Sequence, residues 1–571
     1  MTRLILFLPL LLLCRCTTKH QPLVHSPYFA IQPEEFLSRA SLMEMQELES
    51  KEGDLNPLQK KRLFDLYQIE KKNVKESSDR SKLLDEKLSK LKEQVEPLIV
   101  NLPADQSSSL DENLQSPQEK FSFSLPELKK GYQKAQQAWN QDENEKALDL
   151  VEILINSETY RQKAVLADKN RILNLYFRAA FDARDLEKCQ KAYEAIKQES
   201  SCSVEAAEIG FLYSLVKFSN GQREEARSLL REQCDPNESI MNRIRKTYWL
   251  FRMSDEKSFE QEKYYGELSS FPVPGYYRYL ADSYRGQNFY LPERSEAKIG
   301  DLSISLKTEE LIRAAEDRIS SGLRKDAVKL LQSAQKELLA GDPKKNEKAL
   351  VYVSRLFQAA GNHLQAMKTI NFLLLGADSK SELASEFMNL YHRPFQSQVE
   401  WLGNLWGVDP DFIYSIMRQE SAFNPGAVSV AGARGLMQLM PTLSRFLMEQ
   451  WKAPVPSSKG YLLRGPENIK LATYHLNQLN HLAPHPALVA AAYNAGIYRV
   501  SSWWRRSGQY PLDLFVEFIP INETRNYVKL VLRNFIYYKG LGNQGVVSKD
   551  LIPRELPPAP ATFRDSRKLS S

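Results

Sequence analysis

The feature that most constrains the fold is a recurrence in the middle of the chain. A small or turn-forming residue stands five positions before a small apolar one at Asp142 and Ala147, Arg184 and Cys189, Gly221 and Ala226, Gly322 and Ala327, and Gly361 and Ala366. The turn positions lie roughly 37 to 42 residues apart, with one long gap where a degenerate copy fits. In an αα-hairpin the turn residue ends the first helix, and the small residue lets the second helix pack closely on it. Such pairs stack, because one pair alone cannot bury its apolar face. The spacing therefore predicts an α-helical superhelix over residues 125–389. Its expected role is structural, with a peptide-binding groove as the alternative, since the repeats carry no ligand signature. Strand-like alternation longer than a few residues is absent from the sequence, so the fold class is all-α.

The ends of the chain read differently. Arg3 precedes an apolar run from Leu4 to Leu13, broken once by Pro9. That run is too short to span a bilayer and suits a signal peptide. Cys16, with Leu13 three positions before it, is the expected lipid-bearing residue. Arg15 fits that signal poorly, and Cys14, a plain secretory signal or an uncleaved anchor are the alternatives. Residues 1–16 thus read as a lipoprotein-type signal, for a periplasmic chain attached to the outer membrane. Residues 17–124 read as a tether, two amphipathic helical stripes (Leu58, Leu63, Leu66, Ile69 and Leu84, Leu88, Leu91, Val95) and a linker from Leu102. Residues 390–545 form a last compact helical unit. There Pro486 opens a short helix stopped by Gly496, and Asn522 caps a helix from Glu523 to Tyr538, stopped by Gly540. The Pro-rich tail 546–571 is expected to be extended and mobile.

Lys and Arg number 77 against 71 Asp and Glu, a net +6 over 571 residues. That balance points away from nucleic acid and tolerates a mildly acidic polymer. Cys189, Cys202 and Cys234 are too few for a disulfide framework. One pair, for instance Cys189 with Cys202, has the means to form; the expectation is buried small hydrophobes. His475, His481 and His485 cluster without a carboxylate or thiol to complete a zinc set, so neither a metal nor a cofactor is expected. The aromatic stretch Pro274-Gly-Tyr-Tyr-Arg-Tyr-Leu-Ala-Asp282 reads equally as a sugar groove or as helix packing.

One acid stands apart. Glu420 ends an apolar-periodic segment (Phe412, Ile413, Ile416, Met417), and no Asp or Glu follows until Glu449. A loop punctuated by Gly426, Gly432 and Gly435 comes next, then Leu436-Met-Gln-Leu-Met440 and Pro441. A lone carboxyl facing apolar walls is well placed to stay protonated for use as a general acid. An ordinary solvated Glu is the alternative.

Five blocks carry a family likeness. Glu420-Ser421, Gly432-Ala-Arg-Gly-Leu-Met-Gln-Leu-Met-Pro441, Pro466-Glu-Asn-Ile469, Ala491-Ala-Tyr-Asn-Ala-Gly496, and Phe515-Val-Glu-Phe-Ile-Pro520 with Glu523-Thr-Arg-Asn-Tyr-Val528 occur in one order over about 120 residues. Together they resemble the catalytic domain of the soluble lytic transglycosylase family, which is related to goose-type lysozyme. The preceding repeats resemble that family's superhelical module, so the fold expected is a helical-repeat superhelix followed by a lysozyme-like domain.

The resemblance implies non-hydrolytic cleavage of the β-1,4 bond between N-acetylmuramic acid and N-acetylglucosamine in peptidoglycan glycan strands. Glu420 acts as acid and then as base while a 1,6-anhydro ring closes. Most glycosidases need two carboxyls; an internal hydroxyl nucleophile removes that need. By the same resemblance, Gln438 and Met440 line sugar subsites and Tyr493 lies near the acid. Glu523 orients the site, and Ser421 and Asn494 position acetamido groups or the acid. Bland roles stand beside these: Met440 as core, Asn494 as a helix cap, Glu523 as a favourable charge at a helix start, Glu517 as structural, Tyr527 as cleft or core. A hydrolytic muramidase and a non-catalytic peptidoglycan scaffold remain open. The repeats also suit docking of cell-wall synthesis or division proteins.

Overall fold

A computed structural model describes residues 85–87, 89 and 124–560, less 142, 200–201, 235–238, 272, 274, 293–303, 375–382, 455 and 457. The leader with Cys14 and Cys16, the two N-terminal stripes and residues 561–571 lie outside the described residues.

The repeats form antiparallel helical pairs. α1 (Leu125–Asn140) packs on α2 (Asn144–Asn156), followed by the short α3 (Glu158–Lys163). α4 (Leu166–Ala183) packs on α5 (Leu186–Glu199), α6 (Val204–Ser219) on α7 (Arg223–Glu232), and α8 (Ile240–Met253) on α9 (Phe259–Ser270). After α10 (Tyr276–Tyr284), α11 (Leu306–Ser320) packs on α12 (Arg324–Ala340) and α13 (Glu347–Ala359) on α14 (His363–Leu374), and α15 (Leu383–Asn389) ends the array. Arg184, Gly221, Gly322 and Gly361 all turn with positive φ, at +61°, +82°, +75° and +80°. That left-handed turn reverses the chain within two residues. Ala147, Cys189, Ala226, Ala327 and Ala366 behind the turns are fully buried. The pair α8 and α9 fills the long gap; its turn uses Lys257 in the same left-handed region.

The C-terminal unit is also helical: α16 (Gln396–Trp406), α17 (Pro410–Ser421), α18 (Pro441–Gln450), a 3-10 turn over Lys459–Leu463, α19 (Gly465–Leu482), α20 (Pro486–Ala495), α21 (Ile497–Ser507), α22 (Leu512–Phe518) and α23 (Asn522–Gly542). α20 is the centre. Its residues Ala487 to Ala492 are buried, and α19, α21 and α23 surround it. α17 lies on α23. The described residues form an all-α fold, a helical-repeat array followed by a compact helical unit.

Several expectations change. α23 starts at Asn522 without a side-chain cap and runs through Gly540. A Cβ on Gly540 would press on Leu291 and Val547, so this glycine makes room for packing and does not stop the helix. The tail is ordered as far as residue 560. β2 (Val546–Val547) pairs antiparallel with β1 (Phe289–Tyr290). Beyond it, the Pro553 carbonyl bonds His485 Nε2 at 3.0 Å and the Pro557 carbonyl accepts from the Trp504 indole at 2.7 Å. Ile552 is fully buried. The Pro residues lack N–H groups but keep carbonyls, and these fasten the strap. Cys202 and Cys234 form a disulfide with Cα atoms 5.6 Å apart, while Cys189 is free and buried. The apolar surroundings expected of all three hold only for Cys189, whose thiol burial pushes up to about 12. Tyr276, Tyr277 and Tyr279 are buried, so the aromatic stretch is core.

The two halves are joined by buried charge. α22 carries Asp513 and Glu517 one turn apart. Asp513 accepts from Arg252 at 2.8 Å and Tyr248 at 2.7 Å. Glu517 accepts from Arg245 (3.0 Å), Tyr277 (2.6 Å) and Lys529 (2.9 Å). Glu517 is therefore structural. Burial alone would raise its carboxyl; Arg245 and Lys529 outweigh that and hold it far below the usual range. Losing one partner of such a pair typically costs 3–5 kcal/mol, about the worth of several core methylenes.

Candidate active site

α17 delivers Glu420. Asp409 caps the helix by accepting from the Asp411 amide at 2.9 Å, and Pro410 occupies its first turn. Phe412, Ile413, Ile416 and Met417 bury one face. The helix is cut off just past Glu420-Ser421 by two successive left-handed residues, Ala422 (φ +49°) and Phe423 (φ +64°). Non-glycine residues pay for that conformation, and such strain concentrates at functional sites. Glu420 is left half-buried at the mouth of the next loop.

The loop is built like a small three-stranded clasp. Arg434 bridges both Val428 and Leu439. Asn468, fully buried on α19, holds it from behind. Its amide donates to the carbonyls of Arg434 (2.8 Å) and Leu462 (2.9 Å), and its oxygen accepts from the Met437 amide (2.8 Å). Gly435, at φ +78°, lies so close that a Cβ would run into the Leu462 carbonyl and the Asn468 amide.

Phenols surround the acid. Tyr527 on α23 donates to Glu420 Oε1 at 2.7 Å. Tyr493 on α20 donates to the Met437 carbonyl at 2.8 Å and stacks obliquely near His475. Burial, and after it the Glu420 charge, raises both phenols well above their usual value. Both therefore act as hydrogen-bond donors across the working pH range.

The remaining expected residues fall into two groups. Ser421 Oγ donates to the Leu436 carbonyl at 2.7 Å, which ties the helix end to the loop. Asn494 Oδ1 accepts from Thr524 at 2.6 Å, which ties α20 to α23. Gln438, at φ +47°, donates to the Gly435 carbonyl at 2.8 Å, and Met440 is a half-buried residue at the start of α18. Glu523 is exposed in the first turn of α23, one turn before Tyr527. The structure thus gathers Glu420, Tyr493 and Tyr527, and gives Ser421 and Asn494 structural bonds. Asn468 received no role from the sequence. Its signal was an amide inside the apolar stripe of α19, where a polar group must find partners. Among the described residues no group of three His, Cys, Asp or Glu is arranged to hold a metal.

The comparisons with known proteins fit this geometry. Residues 401–515 match the family described as "Transglycosylase SLT domain". The chain is 40% identical over 134 residues to the soluble lytic murein transglycosylase of Escherichia coli K12, covering 23% of this chain and 21% of that one. It is 42% identical over 164 residues to a Haemophilus influenzae protein assigned the same name, covering 28% and 27%. The matches thus span only about a quarter of those relatives' length. A structure of an inactive mutant of the lytic transglycosylase Slt from Pseudomonas aeruginosa superposes with a TM-score of 0.54 at 18% identity, over 88% of this chain and 75% of that one. That likeness extends through the repeats and bears on the fold.

Proposed function

With residues 401–515 belonging to the transglycosylase SLT domain family, we propose that this chain is a lytic transglycosylase. It cleaves the β-1,4 bond between N-acetylmuramic acid and N-acetylglucosamine in peptidoglycan and leaves 1,6-anhydromuramoyl ends. The observation that carries this reading is Glu420 itself: a half-buried carboxyl at a helix end, hydrogen-bonded by the phenol of Tyr527. No second acid follows in the chain until Glu449.

Protonated Glu420 gives its proton to the glycosidic oxygen as that bond breaks. The leaving sugar departs with a free hydroxyl. The Glu420 carboxylate then takes the proton of the muramoyl 6-hydroxyl as its oxygen closes on the anomeric carbon. Glu420 ends protonated, so one residue serves as acid and base. The tethered hydroxyl replaces an activated water and lowers the barrier by proximity. Tyr527 orients the carboxyl and Tyr493 places its phenol near it; Gln438 and Met440 line the sugar subsites, and Glu523 orients the site by hydrogen bonding. Ser421 and Asn494 act by holding the loop and helices. Residues 125–389 serve as the superhelix and 390–545 as the catalytic unit. Cys16 anchors the chain to the outer membrane, facing the periplasm.

The test is digestion of purified cell wall by the wild type and by Glu420→Gln, with products read by mass spectrometry. Wild type should release 1,6-anhydro ends, and the variant should be slower by at least about 10³-fold. Reducing ends from the wild type would indicate a hydrolytic muramidase. Equal digestion by both proteins would remove Glu420 from catalysis and favour the scaffold reading.

A further inference from the structure

α23 is held from two sides. An α-helix turns about 100° per residue, so Arg525 and Tyr527, two residues apart, leave it on nearly opposite faces. The Tyr527 face meets the acid. Tyr527 donates to Glu420 at 2.7 Å, and Thr524, three residues before it, donates to Asn494 of α20 at 2.6 Å. The Arg525 face meets the repeat array. Arg525 is only 4% exposed. Its Nη1 donates to the Glu517 carbonyl at 3.0 Å and the Ile519 carbonyl at 3.4 Å, at the end of α22. Its Nη2 donates to the Asn522 amide oxygen and to the Glu208 carboxylate of α6. Lys529, one turn on, donates to the Glu517 carboxylate, which Arg245 and Tyr277 of the array also hold. Arg245 closes the network by pairing with Glu208 at 2.8 Å.

Keeping the two halves together does not require such a network. Well-packed apolar residues of the same volume commonly join two elements as well as a buried ion pair does, or better. A forked guanidinium adds a single geometry, because its planar donors fit their acceptors in one orientation. α23 has a use for that. Its first turn carries no side-chain cap. Arg525 stands in for one, tying the start of α23 to the end of α22 and fixing both against Glu208. Tyr527 lies two residues farther along the same helix. Turning α23 by about 10° would move a group about 6 Å from its axis by about 1 Å. A misplacement of that size at a reacting group costs on the order of 10²-fold in rate.

We propose that Glu208 and Arg525 are positioning residues for the reaction at Glu420. Through them the repeat array sets the rotation of α23, and with it the seat of the Tyr527 hydroxyl on the acid. This deepens the peptidoglycan reading above and rests on it. The array is thereby a working part of the active site, although its own residues stay a helix's width from the acid.

The test measures kcat and KM of the full chain on purified cell wall for Glu208→Gln, Asn522→Ala and Tyr527→Phe, and for the first two each combined with Tyr527→Phe. Glu208→Gln keeps the volume and removes the charge that holds Arg525. Its kcat should fall about five- to tenfold, with KM within about twofold of wild type. Asn522→Ala removes an exposed acceptor of Arg525. Its kcat should fall about two- to threefold, again at constant KM. On a Tyr527→Phe background Glu208→Gln should cost less than about twofold, because the hydroxyl it positions is gone. A loss from general weakening of the fold would instead multiply with that of Tyr527→Phe. Wild-type kcat in Glu208→Gln and Asn522→Ala, a change confined to KM, or an undiminished loss on the Tyr527→Phe background overturns the positioning role and leaves Glu420 as the acid. If Glu208→Gln does not fold, Asn522→Ala with and without Tyr527→Phe decides by the same comparison. Wild type that digests no wall, or Glu420→Gln that digests it equally fast, removes the peptidoglycan reading and this inference with it.

Discussion

Tyr527 ties the Glu420 carboxyl to the longest helix of the C-terminal unit through a hydrogen bond of 2.7 Å. Tyr527→Phe keeps the buried ring and removes only the donor. It should lower kcat by roughly 10- to 100-fold, the range expected for a hydrogen bond to a charged group, with KM nearly unchanged. A change confined to KM would move Tyr527 out of the positioning role. Gly435 shows the opposite kind of constraint. Gly435→Ala adds one methyl where the Leu462 carbonyl and the Asn468 amide already meet. It should lose about 2–4 kcal/mol and most activity together, read as a lower thermal midpoint and slower wall digestion. The place of Glu420 at a helix end was legible from the apolar period before it, while its reading as an acid and base rested on the family resemblance. Tyr527 was only half legible. A phenol on an amphipathic helix gives the same spacing whether it packs or bonds, and here it does both.

Elements were easiest to read where backbone geometry leaves a mark on residue type. Gly221, Gly322 and Gly361 had to be turns, and the buried alanines behind them had to face a neighbour. Where an ordinary residue takes the strained conformation, as Lys257 does between α8 and α9, the sequence shows only a gap. The strap from Val546 to residue 560 was read as mobile because its prolines suggested no regular element. It is ordered by tertiary bonds to Tyr279, His485 and Trp504, which no local pattern reveals. The disulfide belongs to this class, since pairing depends on where α6 and the end of α7 meet. Its loop spans 32 residues, for which chain entropy gives about 3–4 kcal/mol. Replacing Cys202 and Cys234 with alanine should lower the thermal midpoint accordingly, and dithiothreitol should lower it in the wild type but not in the variant. A variant as stable as wild type under both conditions would mean the crosslink adds nothing.

The molecule as a whole is poised against acid by histidines kept neutral. Burial lowers His363, His392, His475 and His485 to about 4 each. His363 and His392 stack at 4.0 Å where the last repeats meet Phe423, just past Glu420, with Arg418 the nearby charge opposing a further proton. His485 is neutral for a chemical reason. Its Nδ1 accepts from the Ala487 amide to cap α20 while Nε2 donates to the Pro553 carbonyl, and a protonated ring cannot accept. In the unfolded chain these rings titrate near 6.5. Between 6.5 and 4 the unfolded chain therefore binds protons that the native state refuses, and stability falls as pH drops through that window. For the deeply buried His485 the loss approaches about 3 kcal/mol. Burial would raise Glu208, but Arg245 and Arg525 hold it down at about 2, so its contribution survives until pH falls below the ordinary carboxylate range and does not offset the histidines. Lys529, pushed down to about 7 by burial against the pull of Glu517, adds to the same sign, since stability rises further as pH climbs from 7 toward 10.5. The urea midpoint should accordingly drop from pH 7.5 to pH 4.5. His485→Asn should show a shallower drop, because the amide keeps a capping oxygen and cannot take up a proton. A midpoint that is flat across this range, or a His485→Asn slope equal to that of the wild type, would mean that the buried rings are protonated in the native state.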